Sequence, residues 1–207
     1  AMIVRLVGSE MCIRDRAHIA VHSMKDVPAR VNDGFLISSI MEREDPCDVF
    51  ISNSYKSIEE ISNGTIGSSS PRRQAMIKSL GKNINVVEMR GNINTRLKKL
   101  KNSNIDGIIL AKAGLRRMEM DSLITQNLSV ESFVPSPGQG VLCIECLSQH
   151  SEIMSKIKKI VHLNTEICVS AERIFAAQMD GDCMSPIGAH ATCLLYTSPS
   201  PRDVRSS

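Results

Sequence analysis

The chain has 207 residues, enough for one large domain or two small ones. Its 25 basic and 22 acidic residues leave a net charge of +3, too balanced for a nucleic-acid scaffold or a membrane-surface protein by bulk charge. A composition 42% hydrophobic and 23% charged excludes wholesale disorder. Aromatics at 3%, with no Trp, exclude base-stacking platforms and leave the core to aliphatic residues and Met.

The two ends stand apart. One DNA spelling of residues 11–15, MCIRD, has a reverse complement that reads, one base in, as CLLYT, the residues at 193–197. Unrelated termini rarely encode opposite strands of one short DNA. Both ends are therefore expected to be translated sequencing adapter, with 1–16 a non-native leader and 193–207 a non-native tail. The interior then reads as an internal gene fragment.

In chain order, HIAVH (18–22) reads as a short buried strand running into SMKDVP, where Pro28 pushes Val27 to extended geometry. Residues 34–40 are a second strand, and EREDPCDVFIS (42–52) is a polar turn entering a third. Ser57 to Ser62 predicts a short helix. GTIGSSSPRRQAMIKSLG (64–81) reads as strand, Ser-rich loop and helix. NINVVEM (83–89) is a strand, RGNINTRLKKLKN (90–102) a loop feeding a helix, and IDGIILAKAGLRRM (105–118) a strand followed by a helix. PSPGQG (135–140) breaks the chain before a strand in GVLCIEC. Residues 151–179 are mostly helical with an interruption near 162–166, and GDCMSPIG (181–188) is a loop. Strands alternating with helices predict an α/β protein with mixed sheets. No run of about 18 apolar residues is present for a membrane span.

Between the suspect ends the cysteines are Cys47, Cys143, Cys146, Cys168 and Cys183. An odd count, irregular spacing and no secretory signal argue for a reduced, cytoplasmic protein. Cys143 and Cys146 have CxxC spacing, but on a strand they face opposite ways. No second ligand pair follows, so no metal site is expected.

The segment Ser68-Ser69-Ser70-Pro71-Arg72-Arg73 combines an N-cap serine with proline at the first helical position. Free N–H groups, the positive helix end, three hydroxyls and two guanidinium groups suit an anion. A plain capped helix with solvated arginines is the alternative. Arg90, Arg96, Arg116 and Arg117 recur at loop-to-helix positions, and planar guanidinium groups suit a ligand with many carboxylates, phosphate being the rival. The run RLKKLK (96–101) reads as a solvated amphipathic face. Asp26, just past a strand, is placed either for catalysis or for forming the turn. His22 reads as a packed strand residue. Cys183, on a Gly-rich loop, is either an accessible nucleophile or a small buried hydrophobe.

Seven segments together resemble the porphobilinogen deaminase (hydroxymethylbilane synthase) family, in that family's order: AVHSMKDVP (20–28), EREDPCDVF (42–50), IGSSSPRRQ (66–74), RGNINTRL (90–97), DGIILAKAGLRRM (106–118), PGQGVLCIEC (137–146) and GDCMSPIGAHA (181–191). The resemblance implies two lobes like those of periplasmic binding proteins, with the active site in the cleft between them, and a small α+β third domain. Here those would be 17–43 with 136–160, then 44–135, then the start of the third domain at 161–192. Much of the first lobe's opening sequence and most of the third domain have no counterpart.

The implied activity is that of a transferase in tetrapyrrole biosynthesis of the heme or chlorophyll type. It polymerises four porphobilinogen units with loss of ammonia. Asp26 would be the catalytic carboxylate. Cys183 would carry a dipyrromethane cofactor through a thioether, with Asp182 standing where the family often has a second glycine. Lys25, Ser68, Ser69, Arg72, Arg73, Arg90, Arg96, Arg117 and Gln139 would bind cofactor and substrate. The resemblance further implies a cytoplasmic monomer with neither nucleic-acid nor membrane partners. The chain as it stands is expected to be inactive, since its cleft lacks part of one wall. A non-catalytic two-lobed module for small anions is the alternative, and it needs neither Asp26 nor Cys183.

Overall fold

The computed structural model describes residues 10, 13, 17–28, 30–179 and 185–193. Its strands are β1 (Ala20–Ser23), β2 (Phe35–Ile40), β3 (Asp48–Ile51), β4 (Asn63–Gly67), β5 (Asn83–Val87), β6 (Gly107–Ala111), β7 (Gln126–Leu128) and β8 (Leu142–Leu147). Its α-helices are α1 (Pro71–Ser79), α2 (Ile93–Asn102), α3 (Lys112–Arg116), α4 (Ser151–Ile157) and α5 (Leu163–Gln178).

The strands form two sheets. In the first, β8 lies between β1 and β2 and pairs antiparallel with both. The second has the order β5-β4-β6-β3-β7 and is mixed. β4 runs parallel to β5 and β6, while β3 runs antiparallel to β6 and β7. The chain passes between the sheets twice, through residues 41–47 and back through 129–141.

The central strands DVFI and GIILA show no apolar alternation because both of their faces are covered. On one face Phe50, Ile66 and Ile109 pack with Ile77 of α1; on the other Val49, Ile51, Ile108 and Leu110 pack with Leu100 of α2. The first sheet has its own cluster of Met24, Val27, Ile40, Val141 and Cys143, closed by Val169 of α5. Cys143 and Cys146 are free thiols, and burial pushes the Cys143 thiol up to about 12.

Three boundaries depart from the sequence reading. The first strand is Ala20–Ser23 rather than 18–22. The helix expected at 57–62 is a single 3-10 turn, Ile58–Glu60. Ile58 and Ile61, three apart and both buried, eclipse on a 3-10 turn and enter one core together. The interruption expected near 162–166 lies earlier, at a 3-10 turn Lys158–Ile160 and residues 161–162. The His162 side chain then caps α5 by accepting from the Thr165 N–H. Among the described residues no helix is long and apolar enough to cross a membrane.

Gly107 is where β6 lets the Phe50 ring in. A Cβ there would sit 2.2 Å from the ring edge and 3.2 Å from the Ile51 carbonyl oxygen. Gly107→Ala should therefore cost about 1–3 kcal/mol by overpacking. Thermal denaturation should show a lowered midpoint, and an unchanged midpoint would mean that the Phe50 ring moves aside freely.

Candidate active site

The site grows from one buried carboxylate. Asp48 opens β3 and is fully buried. Its Oδ2 accepts from Arg72 Nη2 at 2.7 Å and Arg73 Nε at 3.2 Å; its Oδ1 accepts from Arg73 Nη2 at 2.7 Å and Gln139 Nε2 at 2.9 Å. Further donors go to main-chain carbonyls. Arg73 Nη1 donates to Ile109 at 3.0 Å, Arg72 Nη1 to Val134 at 2.7 Å, and Gln139 Nε2 to Pro46 at 2.6 Å.

Local sequence delivers the two arginines to this point. Ser70 caps α1 and Pro71 occupies its first turn. Ser69 Oγ donates to the Met89 carbonyl at 2.9 Å, and Ser68 Oγ accepts from the Ser70 N–H at 3.3 Å. Opposite, Lys25 and Asp26 lie on the 3-10 turn Met24–Asp26, which directly follows β1. The Met24 N–H donates to the Val141 carbonyl at 2.9 Å, tying this turn to the second passage between the sheets. In that passage Gly140 has φ 87°, and a Cβ would meet the Glu44 carbonyl oxygen at 2.4 Å, so only glycine fits.

Two adjoining cavities of about 200 and 310 Å³ lie between these elements and share Lys25, Asp26, Arg73 and Arg96 as walls. Ser69, Arg72 and Gln139 line the smaller one, and Arg117 the larger. Of the residues expected to act together, eight therefore meet here: Lys25, Asp26, Ser69, Arg72, Arg73, Arg96, Arg117 and Gln139. Two others are not brought to these walls. Ser68 is buried behind the loop and spends its hydroxyl on the Ser70 N–H. Arg90 has a side chain 76% exposed and pairs with Glu88 at 2.7 Å. Cys183 lies outside the described residues. Asp48 was not singled out in the sequence; its one signal is an acid opening an apolar strand.

Charge in the cavities is lopsided. Among the described residues, Lys25, Arg72, Arg73, Arg96 and Arg117 share the cavity walls with one carboxylate, Asp26, and Asp48 behind them is already committed. Burial and the nearby Arg73 charge push Lys25 down to about 8, against the opposing pull of Asp26 and Asp48. Burial alone would raise Asp48, but the Arg73 and Arg72 charges and their hydrogen bonds win, holding it well below the usual carboxylate range. Of the buried polar atoms without a partner among the described residues, two belong to the cavity walls, Arg72 Nε and Gln139 Oε1. Both belong to side chains that line the smaller cavity, at 3% and 1% exposure. The site thus offers a ligand one buried donor, one buried acceptor and a surplus of cations. That donor set suits a ligand bearing several carboxylates, with an N–H group to donate.

A second cluster holds the two passages together. Glu172 of α5 accepts from Arg43 Nη2 at 2.8 Å and the Ala191 N–H at 2.8 Å through Oε1, and from the Gly138 N–H at 2.8 Å through Oε2.

The family model described as "Porphobilinogen deaminase, dipyromethane cofactor binding domain" matches residues 9–155. Porphobilinogen deaminase of Clostridium botulinum (strain 657 / Type Ba4) is 46% identical over 181 residues, covering 87% of this chain and 62% of that protein. The Francisella philomiragia enzyme of the same name is 45% identical over 181 residues, covering 86% and 60%. Among solved structures, a putative methionine-binding lipoprotein from Bacillus subtilis is similar at 10% identity and TM-score 0.48, covering 90% of this chain and 83% of that one. A YaeC-family lipoprotein from Enterococcus faecalis is similar at 13% and TM-score 0.49, covering 85% and 82%.

Asp48→Asn would leave two buried guanidinium groups without their counter-charge, at a cost of roughly 3–5 kcal/mol. Because the folded-state pKa of Asp48 is depressed, its stabilisation is present above the unfolded value of about 3.9 and is lost as pH falls below it. Denaturant titrations from neutral pH to about pH 2 should therefore show a steep acid limb that Asp48→Asn flattens. Parallel limbs for the two proteins would count against this role.

Proposed function

Because the chain belongs to the porphobilinogen deaminase family, we propose that it serves a transferase that joins four porphobilinogen units head to tail with loss of ammonia, giving hydroxymethylbilane for tetrapyrrole biosynthesis. The chain spans 62% of the length of the Clostridium relative, so the activity proposed is that of the full-length enzyme. The observation that carries the reading is that, among the described residues, one carboxylate, Asp26, lines cavities whose other charged walls are cations. A module that only bound anions would need the cations, but would gain nothing from a carboxylate among them.

In this reading Arg72, Arg73, Arg96, Arg117 and Lys25 take the acetate and propionate groups of substrate and product chain, with Ser69 beside them. The unpartnered Arg72 Nε donates to one such carboxylate. The unpartnered Gln139 Oε1 accepts a ring N–H. Asp26 accepts pyrrole N–H groups and faces the positive charge that develops when ammonia leaves. It stabilises that cation and takes part in the proton transfer that follows carbon–carbon bond formation. When bound, the dipyrromethane supplies the free α-carbon that primes the chain. The same cations and Gln139 would hold it, and Cys183 is the residue we assign to its attachment. Ser68 keeps the loop in shape, and Arg90, out on the surface, is left to act on carboxylates beyond the cavity walls. The domain division 17–43 with 136–160, 44–135 and 161–192 is part of the proposal, as are a cytoplasmic setting and a monomeric state. The free thiols of Cys47, Cys143, Cys146 and Cys168 accord with a reducing compartment.

Three outcomes are expected from a version extended to the length of its relatives. Asp26→Asn keeps the shape but not the charge, and should nearly abolish bilane formation while largely sparing the covalent mass added by the cofactor. Near-normal turnover would remove Asp26 from the chemistry. Cys183→Ala should lose that added mass, and its persistence would misplace the attachment.

The third outcome concerns Lys25, which is neutral above about pH 8 in the free cleft. A bound carboxylate favours the charged form, so binding near pH 9 should take up about one proton. Calorimetry with porphobilinogen in two buffers of different ionisation enthalpy should then give different heats, the difference vanishing in Lys25→Met. Equal heats for the unaltered protein would mean that Lys25 meets no carboxylate.

A further inference from the structure

Directly behind the Lys25–Asp26 turn stands a side chain that neither the sequence motifs nor the proposed chemistry uses. Arg173, half-buried on α5, donates from Nη1 to the Val27 carbonyl at 3.0 Å and from Nη2 to the Pro28 carbonyl at 2.6 Å. These are the two residues that follow Asp26. Arg173 lines neither of the two cavities.

We propose that Arg173 is a positioning residue that sets the aim of Asp26 from outside the cleft. The proposal rests on the reading of Asp26 given above.

Among the described residues, two main-chain hydrogen bonds also hold the turn. On the cleft side the Met24 N–H bonds the Val141 carbonyl, and within the turn the Val27 N–H bonds the Met24 carbonyl at 3.1 Å. Pro28 has no N–H to contribute. Past this point the main chain is held at two successive carbonyls by one planar, forked cation. Such a grip fixes both the position of the strand exit and its rotation, whereas a single hydrogen bond would leave it free to swivel. The cost of bringing the charge here shows in Arg173 itself, whose pKa burial lowers. A cation half-withdrawn from water to hold two carbonyls gives the turn more than a packing contact would.

The base from which Arg173 acts is firm. At the start of α5 the His162 N–H donates to the Ile40 carbonyl at 2.9 Å, and in its middle Val169 is wholly buried in the first-sheet core. The adjacent Glu172 binds Arg43 and the Gly138 N–H, one residue before Gln139. Two consecutive residues of α5 thus hold the turn that carries Asp26 and the loop that carries Gln139. α5 sets these two cavity walls relative to each other.

The test uses the chain at the full length of its relatives, with its cofactor attached. Arg173→Met should lower kcat roughly 10- to 100-fold, because a misplacement of about 1 Å is enough for that. KM should change far less than kcat, because of the carboxylate-binding cations only Lys25 rides on this turn, and Arg72, Arg73, Arg96 and Arg117 are untouched. Arg173→Lys, which reaches only one carbonyl, should fall between. It also decides the matter if the Met variant fails to fold. The added cofactor mass should be normal in both.

If Arg173 acts through Asp26, its replacement should add nothing to the loss already caused by Asp26→Asn, read as the residual single-turnover rate by mass spectrometry. Unchanged kcat in Arg173→Lys and Arg173→Met would overturn the proposal. So would an equal fractional loss in the Asp26→Asn background, or a loss that follows thermal midpoint alone. Failure of the parent reading shows separately, as an active Asp26→Asn enzyme with Arg173 intact.

Discussion

Two guanidinium groups can be packed side by side at the mouth of α1 only because a carboxylate lies between them. At an effective dielectric of about 20, two like charges about 4 Å apart repel by roughly 4 kcal/mol, before the loss of their hydration. Asp48 answers both costs with a single side chain, accepting from Arg72, Arg73 and Gln139 at once. It can do so because β3 is a central strand and delivers its first residue at the sheet end, where α1 begins and the second passage crosses. The carboxylate therefore organises more than a pair of ions. It fixes which nitrogen atoms of Arg72 and Gln139 are consumed inside the fold and leaves Arg72 Nε and Gln139 Oε1 over for a ligand.

That division of labour explains how a chain with a net charge of only +3 presents a strongly cationic cleft. The charges are not numerous; they are concentrated where loops from both sheets converge. Their mutual repulsion shows in Lys25, whose ammonium form is disfavoured by burial and by Arg73, and in Arg96, lowered by burial and then by Arg73. A site in this condition is relieved by carboxylates entering it.

Much of this was legible in the sequence, and the illegible part has a common cause. Caps, turn residues and periodicity are local. Ser70-Pro71 announced α1, Pro28 the extended geometry of Val27, and the alternation of strands with helices the α/β class. The grouping of Lys25, Asp26, Arg72, Arg73, Arg96, Arg117 and Gln139 was implied by the family resemblance that the ordered motifs carry. Pairings across long stretches of chain left no such mark. Asp48 meets Gln139 across 91 residues, and Arg43 meets Glu172 across 129. Arg90 and Arg96 looked equivalent on one loop. Gly91, at φ 122°, sits between them, and Glu88 claims Arg90 at the surface while Arg96 turns back to the Gly91 carbonyl and the cleft. The three-residue strand β7, with Gln126 and Asn127 as two of its members, is too short and too polar to show a period.

The same long-range pairings determine how the two sheets are held relative to each other. Neither passage, 41–47 or 129–141, carries regular secondary structure that would stiffen it. Stiffness comes from hydrogen bonds between the passages, such as the Glu44 N–H to the Gly140 carbonyl at 3.1 Å, and from outside, from α5. Residues one apart on a helix point about 100° from each other, so Glu172 and Arg173 necessarily reach different neighbours. The first neighbour is the pair of passages, through Arg43 and Gly138; the second is the turn behind Asp26. Any rotation of one sheet against the other must either carry α5 along or break charge-assisted hydrogen bonds, each stronger than an ordinary one. Arg72 and Arg73 are thus arranged from the second sheet by Asp48, Lys25 and Asp26 from the first sheet by the turn at 24–26, and the register between them by a helix that belongs to neither sheet.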